Sequence, residues 1–379
     1  MRILPIASGK GGVGKSLVSA NLAVAFAQMG KRVILADLDL GASNLHLIIG
    51  HQSPRSGIGT FLNDTRSDFN QVIAETDIPN LRFIPGDGEI PGSANLKSSQ
   101  TSALARRLLG LDADILILDL GAGTHQSILD FFLLSGQGIV VTTPTVTAIL
   151  SAYLFLKNAV FRLMYSSFPK SSKAYEYLES VRKDTAGLQR LYIPKIMSAI
   201  KEIDPAAWGK FNDRIGLFHP RLILNMIDDP KDTEKALKIR RSCSEYLNLS
   251  IEHLGVVYRD SLQDTALQAR LPIVLYKPQS ILSQAIYRTA DKILQYAEDS
   301  PALSTRAVEE SFQEAGMEAE VDFAAKLDYV EELLHCGALS QGDLVETVKT
   351  QQFEITQLRK ENLFLKSKLT QAFSQGFKP

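Results

Sequence analysis

The stretch at residues 8–23, "SGKGGVGKSLVSANLA", decides how the fold of this chain is interpreted. It follows the short apolar run "RILPIA", which predicts a buried strand, and it leads into apolar positions at helical spacing that end near Gly30. Gly9 to Ser16 fit the pattern G-x-x-x-x-G-K-[ST], and a strand before it and a helix after it are the context that this pattern requires. The stretch therefore predicts a phosphate-binding loop.

The residue types in this loop suit phosphate chemistry. Glycines accept backbone angles that other residues resist, so their N–H groups can point inward at phosphate oxygens, next to the positive end of the following helix. Lys15 is predicted to reach the β and γ phosphates of a nucleotide, and the hydroxyl of Ser16 is predicted to bind Mg²⁺.

Short apolar runs alternate with helical patterns through residues 1–297. Strands that are apolar on both faces, with helices between them, predict an α/β fold in which helices cover both faces of a mostly parallel sheet, as in P-loop NTPases. The predicted strands are "RILPIA", "KRVILADLD", "NLRFIPG", "DILILDL", "QGIVVTT", "PRLILNM" and "IEHLGVVY".

Two of these strands end in carboxylates. Asp119 ends "DILILDL" and is followed by Gly121 and Gly123, whose N–H groups are predicted to approach a γ-phosphate, and Asp37 and Asp39 end "VILADLD". A carboxylate in such a position can hold a metal ion or orient the attacking water. Any one of these aspartates can equally be a turn residue at a strand end, but their order after the loop favours a site.

The overall composition excludes several classes of protein. Lys plus Arg number 41 and Asp plus Glu number 42, so affinity for nucleic acid or a membrane requires a local patch. Two distant cysteines without a CxxC indicate a reducing compartment and no zinc site. Neither a signal peptide nor an apolar run of roughly 20 residues is apparent. We expect a cytoplasmic protein, with any membrane contact peripheral and at the inner face.

Three regions depart from the alternation of strands and helices. Residues 157–219 predict a helical insertion with one weak strand, "LYIPKI", and the insertion either binds a partner, extends a dimer face or decorates the sheet. Residues 298–335 carry 11 acidic and 2 basic residues and are interpreted as an acidic connector. Residues 336–379 are interpreted as a helical tail, coiled coil or amphipathic.

A second lysine, Lys10, lies inside the loop where an ordinary phosphate loop accepts any residue. The resulting "KGGVGKS" resembles the deviant Walker A motif of the MinD/ParA family of ATPases. The resemblance covers about residues 1–156 and 220–297, and it is closest to MinD and the flagellar-placement ATPase FlhG, because "DLDLGASNLHLIIG" stands where ParA has "DPQGN". Further matching segments are "LILDLGAG", "IVVTTPTVTAILSAYLFLK", "LILNMID" and "LGVVYRDSLQDTALQARLPIVLYKPQSILSQAI".

The resemblance implies an ATP-hydrolysing switch that uses ATP and Mg²⁺ and forms a face-to-face homodimer with ATP. Lys10 would cross to the partner's ATP, Asp39 would be the hydrolytic residue of the first switch, Asp119 the Walker B residue and Asn225 the adenine reader. Ser16, Asp39 and Asp119 would hold the metal. The predicted nucleotide-binding set is Gly9, Lys10, Gly11, Gly12, Val13, Gly14, Lys15, Ser16, Leu17 and Asn225.

Such a switch would position or regulate a cellular structure, such as the flagellum or the division machinery, through a protein activator or cargo. The alternative is a DNA-bound ParA-like partition ATPase. Its basic patch would be Lys235, Lys238, Arg240 and Arg241, which would bind DNA nonspecifically through phosphates. Asp232 and Glu234 dilute this patch, so a solvated helix face is favoured. A metal-cluster-loading relative would be expected to carry a CxxC motif, which this sequence lacks.

Two interpretations of the tail compete for the same leucines. Apolar positions at alternating spacings of four and three form a heptad seam in which Asn362 favours two strands. The basic, apolar end "LFLKSKLTQAFSQGF" instead resembles the membrane anchor of MinD. The coiled coil is favoured because the seam begins well before the basic end. The seam is Leu344, Val348, Gln351, Ile355, Leu358, Asn362, Leu365, Leu369 and Ala372.

Overall fold

The structure is a computed structural model. It describes residues 1–41, 43–52, 56–63, 68–86, 96–183, 192–295, 304–336 and 340–374. The strands in these ranges are β1 Arg2–Ser8, β2 Val33–Leu38, β3 Ala74–Glu75, β4 Leu81–Ile84, β5 Ile115–Ala122, β6 Ile139–Thr142, β7 Arg221–Ile227 and β8 Glu252–Tyr258.

Helices connect most of these strands. The first half of the chain contains α1 Lys15–Gln28, α2 Leu45–Ile48, α3 Ile58–Asn63, α4 Ser98–Leu109, α5 Gln126–Phe132, α6 Val146–Ser167 and α7 Lys173–Lys183. The second half contains α8 Ile193–Ile203, α9 Pro205–Gly216, α10 Glu234–Ser242, α11 Leu262–Gln268, α12 Ile273–Tyr276, α13 Ile281–Gln295, α14 Thr305–His335 and α15 Gln341–Ser374.

Among the described residues, eight strands form one sheet in the order β3-β4-β2-β5-β1-β6-β7-β8. The β3–β4 pair is antiparallel and the other pairs are parallel. Every residue of β2 and β6 is buried, because helices cover both faces of the sheet. The α/β prediction is confirmed, and each of the seven predicted apolar runs forms a strand. The sequence did not predict β3, which has only 2 residues.

The sheet register sets up the site. β2 pairs with β5 so that Asp37 lies beside Asp119, and β1 lies between β5 and β6. The carboxyl ends of these parallel strands therefore meet at one edge of the sheet, which is where open α/β folds bind ligands. Helices α1, α12 and α13 pack together, while α5, α6, α9 and α10 form a second packed group.

The predicted helical insertion is helical, but its start differs from the prediction. Helix α6 runs unbroken through residue 157, so the additional helices α7, α8 and α9 begin after it. The weak strand "LYIPKI" is wrong: α8 begins at Ile193 with Pro194 in its first turn, where the fixed φ of proline suits a helix start. Leu191 lies outside the described residues.

Helix α6 is longer and more apolar than the sequence patterns predicted. Its 22 residues, with a mean hydropathy of 1.4, match a membrane span by length and composition. Phe155, Leu156, Val160 and Met164 are nevertheless buried in the protein. Core packing accounts for the apolar character of this face.

Over residues 304–322 the acidic segment packs within the α/β unit and is not a connector. The chain divides into two compact units at Asp322, inside helix α14. Before that point α14 buries Val308, Phe312, Ala315 and Ala319. Its acidic side chains pair with cations of the α/β unit, with Glu318 lying 2.8 Å from Lys292 and Asp322 lying 2.5 Å from Arg288. Part of the acidic character of α14 therefore serves ion pairing with the α/β unit.

Phe312 gives a direct test of this packing. The residue is 7% exposed, and the centre of its ring lies 5.0 Å from the centre of the ring of His253 on the edge strand β8. Phe312→Ala should lower the free energy of unfolding by about 3 kcal/mol, measured by urea denaturation, since a buried aromatic ring is lost. Met317→Ala, on the same helix but 60% exposed, should change it by less than about 0.5 kcal/mol. Equal, small effects of both changes would restore the connector interpretation.

His253 makes stability depend on pH. Complete burial, with the nearby charge of Lys292, lowers the pKa of His253 from 6.5 to about 3. Below pH 6.5 His253 therefore binds a proton in the unfolded chain but not in the folded chain. The free energy of unfolding falls as the pH falls, with a slope that approaches about 1.4 kcal/mol per pH unit. Urea unfolding between about pH 5.5 and pH 4 should approach this slope, and His253→Leu should lack the contribution. An unchanged slope in His253→Leu would assign the effect to other groups.

The second unit, Phe323–Pro379, contains the end of α14 and helix α15. Helix α15 is 34 residues long, and its described apolar side chains are exposed. The side chains of Leu344, Gln351, Ala372 and Phe373, and the whole of Phe377, lie outside what the structure describes.

Candidate active site

The predicted phosphate loop connects β1 to α1, and glycine is required at both of its ends. Gly14 precedes α1 with a φ of 81°, and a Cβ there would overlap the side-chain amide of Asn225. A Cβ on Gly9 would overlap the carbonyl of Ser151 in α6. The loop is therefore held closely by β7 and α6. Between these ends Gly11 and Gly12 are exposed, and Val13 is buried.

Lys15 is the centre of the site. Its buried Nζ lies 2.9 Å from Oδ1 of Asp119 and 3.9 Å from Oδ2 of Asp39, and it contacts Oγ of Ser16 at 3.2 Å. These four residues come from the start of α1 and the ends of β2 and β5. The structure thus brings together the lysine, the hydroxyl and both carboxylates that the sequence predicted for one site.

Asp119 has one further partner and one free acceptor. Oγ of Ser19 donates to its Oδ1 at 2.7 Å, while its buried Oδ2 accepts no hydrogen bond. Ser19 was not among the predicted site residues, although it lies four residues after Lys15 and so shares its helix face. A buried carboxylate oxygen with no donor is suited to accept one from a water bound to a metal ion.

The two aspartates at the end of β2 have different roles. Asp37 is buried and accepts hydrogen bonds from Oγ of Ser43 at 2.7 Å and from the backbone N–H groups of Asp39 and Leu45. Burial, with the charge of Asp119, raises the pKa of Asp37 to about 7. Asp37 therefore organises the loop after β2, and Asp39 is the carboxylate that faces the site.

Asp39 is partly open, with 27% of its side chain exposed. Burial raises its pKa, and the charge of Lys15 opposes this shift. Gly121 lies close enough that a Cβ there would approach Asp39 at 3.4 Å. An open carboxylate near the lysine, with a glycine facing it, leaves room for a water molecule or a phosphate oxygen.

Lys10 does not join this group. It is exposed, and its Nζ donates to Oγ1 of Thr147 at 3.3 Å, at the start of α6. Next to it the same helix exposes Val146, Leu150 and Leu154, which repeat every four residues. The loop therefore carries one buried lysine and one exposed lysine beside an apolar helix face. Nothing in the sequence indicated that Thr147 would be its partner.

Two other predicted contacts take a different form. Asn225 is buried, and its Nδ2 donates to the carbonyl of Val13 at 2.8 Å, so it stabilises the phosphate loop. Adenine recognition by Asn225 remains a prediction. The N–H of Gly123 donates to the carbonyl of Ser8 at 3.0 Å, and therefore does not point to a phosphate here.

The donor set suits a metal ion bound together with phosphate. Among the described residues, no group of three or more His, Cys, Asp or Glu side chains could hold a metal ion alone. The oxygens of Ser16, Asp39 and Asp119 are hard donors around one point. Mg²⁺ prefers one or two such protein ligands, with water and substrate phosphates completing its octahedron. The residues present fit Mg²⁺ that arrives with a nucleotide.

A parallel sheet with a glycine loop at β1, and carboxylates after β2 and β5, defines a P-loop nucleotide-binding protein. The family model described as "CobQ/CobB/MinD/ParA nucleotide binding domain" matches residues 4–352. The chain belongs to this family.

Relatives and solved structures agree with this assignment. The septum site-determining protein MinD of Buchnera aphidicola subsp. Baizongia pistaciae is 32% identical over 150 residues, which is 39% of this chain and 55% of that protein. The flagellum site-determining protein YlxH of Helicobacter pylori is 31% identical over 209 residues, 52% of this chain and 69% of that protein. The chain thus spans about half the length of the first curated relatives that it matches.

The solved structure of MinD from Pyrococcus horikoshii, complexed with Mg-ADP, superposes with a TM-score of 0.52 at 21% identity. The superposition covers 77% of this chain and 95% of that one. It supports the fold described above.

Proposed function

We propose that this protein is an ATP-driven switch of the MinD/ParA type, which binds ATP with Mg²⁺, dimerises face to face and hydrolyses the nucleotide. The main observation behind this proposal is that the two lysines of one loop have different environments. Lys15 is buried against Asp119 and Asp39, while Lys10 is exposed at the edge of the site. A single-subunit site would use only the first lysine.

The residues of one subunit would act as follows. Lys15 would leave its contacts with the carboxylates for the β and γ phosphates, and Ser16, Asp39 and Asp119 would hold the ion directly or through water. When bound with the nucleotide, Mg²⁺ would supply positive charge that neutralises the phosphates. Asp39 would also orient the attacking water, and Asp37 would keep the loop that carries Asp39 in place.

The second copy would complete the site. Lys10 would reach the partner's phosphates and stabilise the charge that develops on them, which is the electrostatic logic of an arginine finger. Val146, Leu150 and Leu154 are exposed on α6, the helix whose Thr147 contacts Lys10, and would provide apolar surface for this contact. ATP would favour the dimer, and hydrolysis would release it.

The cellular role is proposed from the relatives. Proteins named for determining the septum site and the flagellum site support a switch that positions or regulates a cellular structure through a protein activator or cargo. We place it in the cytoplasm, with peripheral contact at the inner face of the membrane.

The DNA-bound partition ATPase is the second candidate, and the charge pattern of α10 disfavours it. Two cations of the basic patch already have acidic partners, since Lys235 lies 2.7 Å from Asp232 and Arg240 lies 3.4 Å from Glu309. A patch that is neutralised in this way offers less to phosphate groups.

Phosphate release with ATP and Mg²⁺, and its loss on chelation, tests the enzymatic part. Cosedimentation with anionic vesicles and with plain duplex DNA, each with ATP and with ADP, tests the binding partner. Absence of ATP turnover under all conditions would contradict the proposal, and ATP-dependent binding to DNA alone would favour the partition ATPase.

A further inference from the structure

Helix α15 presents a line of aliphatic side chains to solvent. Val348, Ile355, Leu358, Leu365 and Leu369 are each between 44% and 63% exposed, within a single helix of 34 residues. Surface helices of soluble proteins seldom expose so many aliphatic side chains along one line. We therefore expect a partner to bury the seam, and the residue types along the seam indicate which partner it is.

The branching of the seam residues favours a two-stranded, parallel coiled coil. In the heptad, the a positions are Val348, Ile355, Asn362 and Leu369, and the described d positions are Leu358 and Leu365. β-Branched residues at a with leucine at d favour two parallel strands, and one asparagine at a fixes the register and the number of strands. In the present structure the side chain of Asn362 donates to the carbonyl of Leu358 at 3.0 Å. A second copy would give this amide its counterpart.

The charges that flank the seam indicate the same arrangement. Glu354 and Glu361 occupy g positions, and Arg359 and Lys366 occupy the e positions five residues later. In a parallel, in-register pair, each g residue faces the e residue five positions further on in the other chain, so both pairs are oppositely charged. An antiparallel pair would instead place e residues opposite e residues, so Arg359 and Lys366 would face no acidic residue. A shift by one heptad would also set Asn362 against an aliphatic residue.

We propose that α15 forms a parallel, in-register, two-stranded coiled coil with α15 of a second copy of this chain, independently of nucleotide. The charge pattern identifies the second copy as the partner, because these pairs are self-complementary. Such a tail keeps two ATPase units at high effective concentration, so that ATP closes a contact within an existing dimer. The inference does not rest on the proposed ATPase function.

Phe364 provides a matched control. It is 61% exposed, like Leu365 at 63%, but it lies at a c position outside the seam, where Lys368 sits 5.6 Å from its ring centre. A coiled coil leaves this residue on the outer surface. A membrane helix, by contrast, would use its aromatic ring.

The experiment is sedimentation equilibrium of the full chain in nucleotide-free buffer. We expect twice the chain mass of 41.7 kDa for the natural sequence and for Phe364→Glu. Leu358→Glu should weaken the dimer at least ~100-fold, because charges would replace two facing buried leucines. Arg359→Glu with Lys366→Glu should also weaken it, and adding Glu354→Lys with Glu361→Lys should restore it, which only the parallel register allows.

Several results would overturn the proposal. A monomeric full chain is one, and equal loss of the dimer in Phe364→Glu and Leu358→Glu is another. A monomer that binds anionic vesicles, and loses that binding in Phe364→Glu, would assign the helix to the membrane instead. Phosphate release measured on the same variants separates this outcome from the ATPase function, since a tail variant that fails to dimerise can still bind ATP.

Discussion

Replacing Lys15 by alanine is expected to lower the affinity for ATP by about 10³-fold or more, since the charge that would meet the β and γ phosphates is lost. The structure adds a second reason. Lys15 is the buried cation beside Asp119 and Asp39, so its removal leaves negative charge where anionic phosphates must bind. Calorimetric titration with ATP and Mg²⁺ measures the effect.

The control for this change is Lys10→Ala, which removes a lysine from the same loop. Because Lys10 is exposed and contacts Thr147 rather than the carboxylates, its removal should leave ATP affinity within about threefold of the natural chain. Circular dichroism should show that both variants remain folded. Unchanged ATP binding by Lys15→Ala would refute the assignment of the phosphate loop.

Lys10→Ala is expected to reduce ATP hydrolysis by about 10³-fold while binding survives, which is the size of effect that a charge supplied in trans produces. It should also lose the ATP-dependent contact between the ATPase units. Asp39→Ala should keep that contact and hydrolyse slowly, because the nucleotide still binds while the attacking water is poorly oriented. Phosphate release, together with ATP-dependent protection of the exposed face of α6 from hydrogen exchange, distinguishes the two variants.

Normal hydrolysis by Lys10→Ala would make this lysine an ordinary loop residue. In that case the apolar line of Val146, Leu150 and Leu154 would need another explanation. Leu150→Glu offers an independent check, since it alters this surface without touching the nucleotide site. It should weaken the ATP-dependent contact and leave ATP affinity unchanged.

Much of the fold could be predicted because its signals are local. A buried parallel strand needs a continuous apolar run, and the phosphate loop needs glycines at fixed offsets from a lysine. The seven apolar runs, the loop and the carboxylates Asp39 and Asp119 could therefore be located from neighbouring residues alone. The sheet order then brings the carboxylates to Lys15.

What the sequence did not reveal depends on long-range packing. The acidic residues of α14 look like a solvated connector until Arg288 and Lys292 on α13 are placed opposite them. "LYIPKI" is apolar enough for a strand, but Pro194 begins a helix there. The family resemblance singles out Asp39, but the structural role of Asp37 appears only in the hydrogen bonds that it accepts from Ser43 and Leu45.

The claim that Lys10 acts on the partner's nucleotide is tested most directly by mixing two inactive variants. A dimer of Lys10→Ala with Asp39→Ala contains one site with an intact Asp39 that receives Lys10 from the other subunit. When the two variants are coexpressed in equal amounts, half of the dimers are mixed and each of these has one active site. Action of Lys10 in trans therefore predicts about a quarter of the natural rate per chain. A rate no higher than that of either variant alone would contradict it.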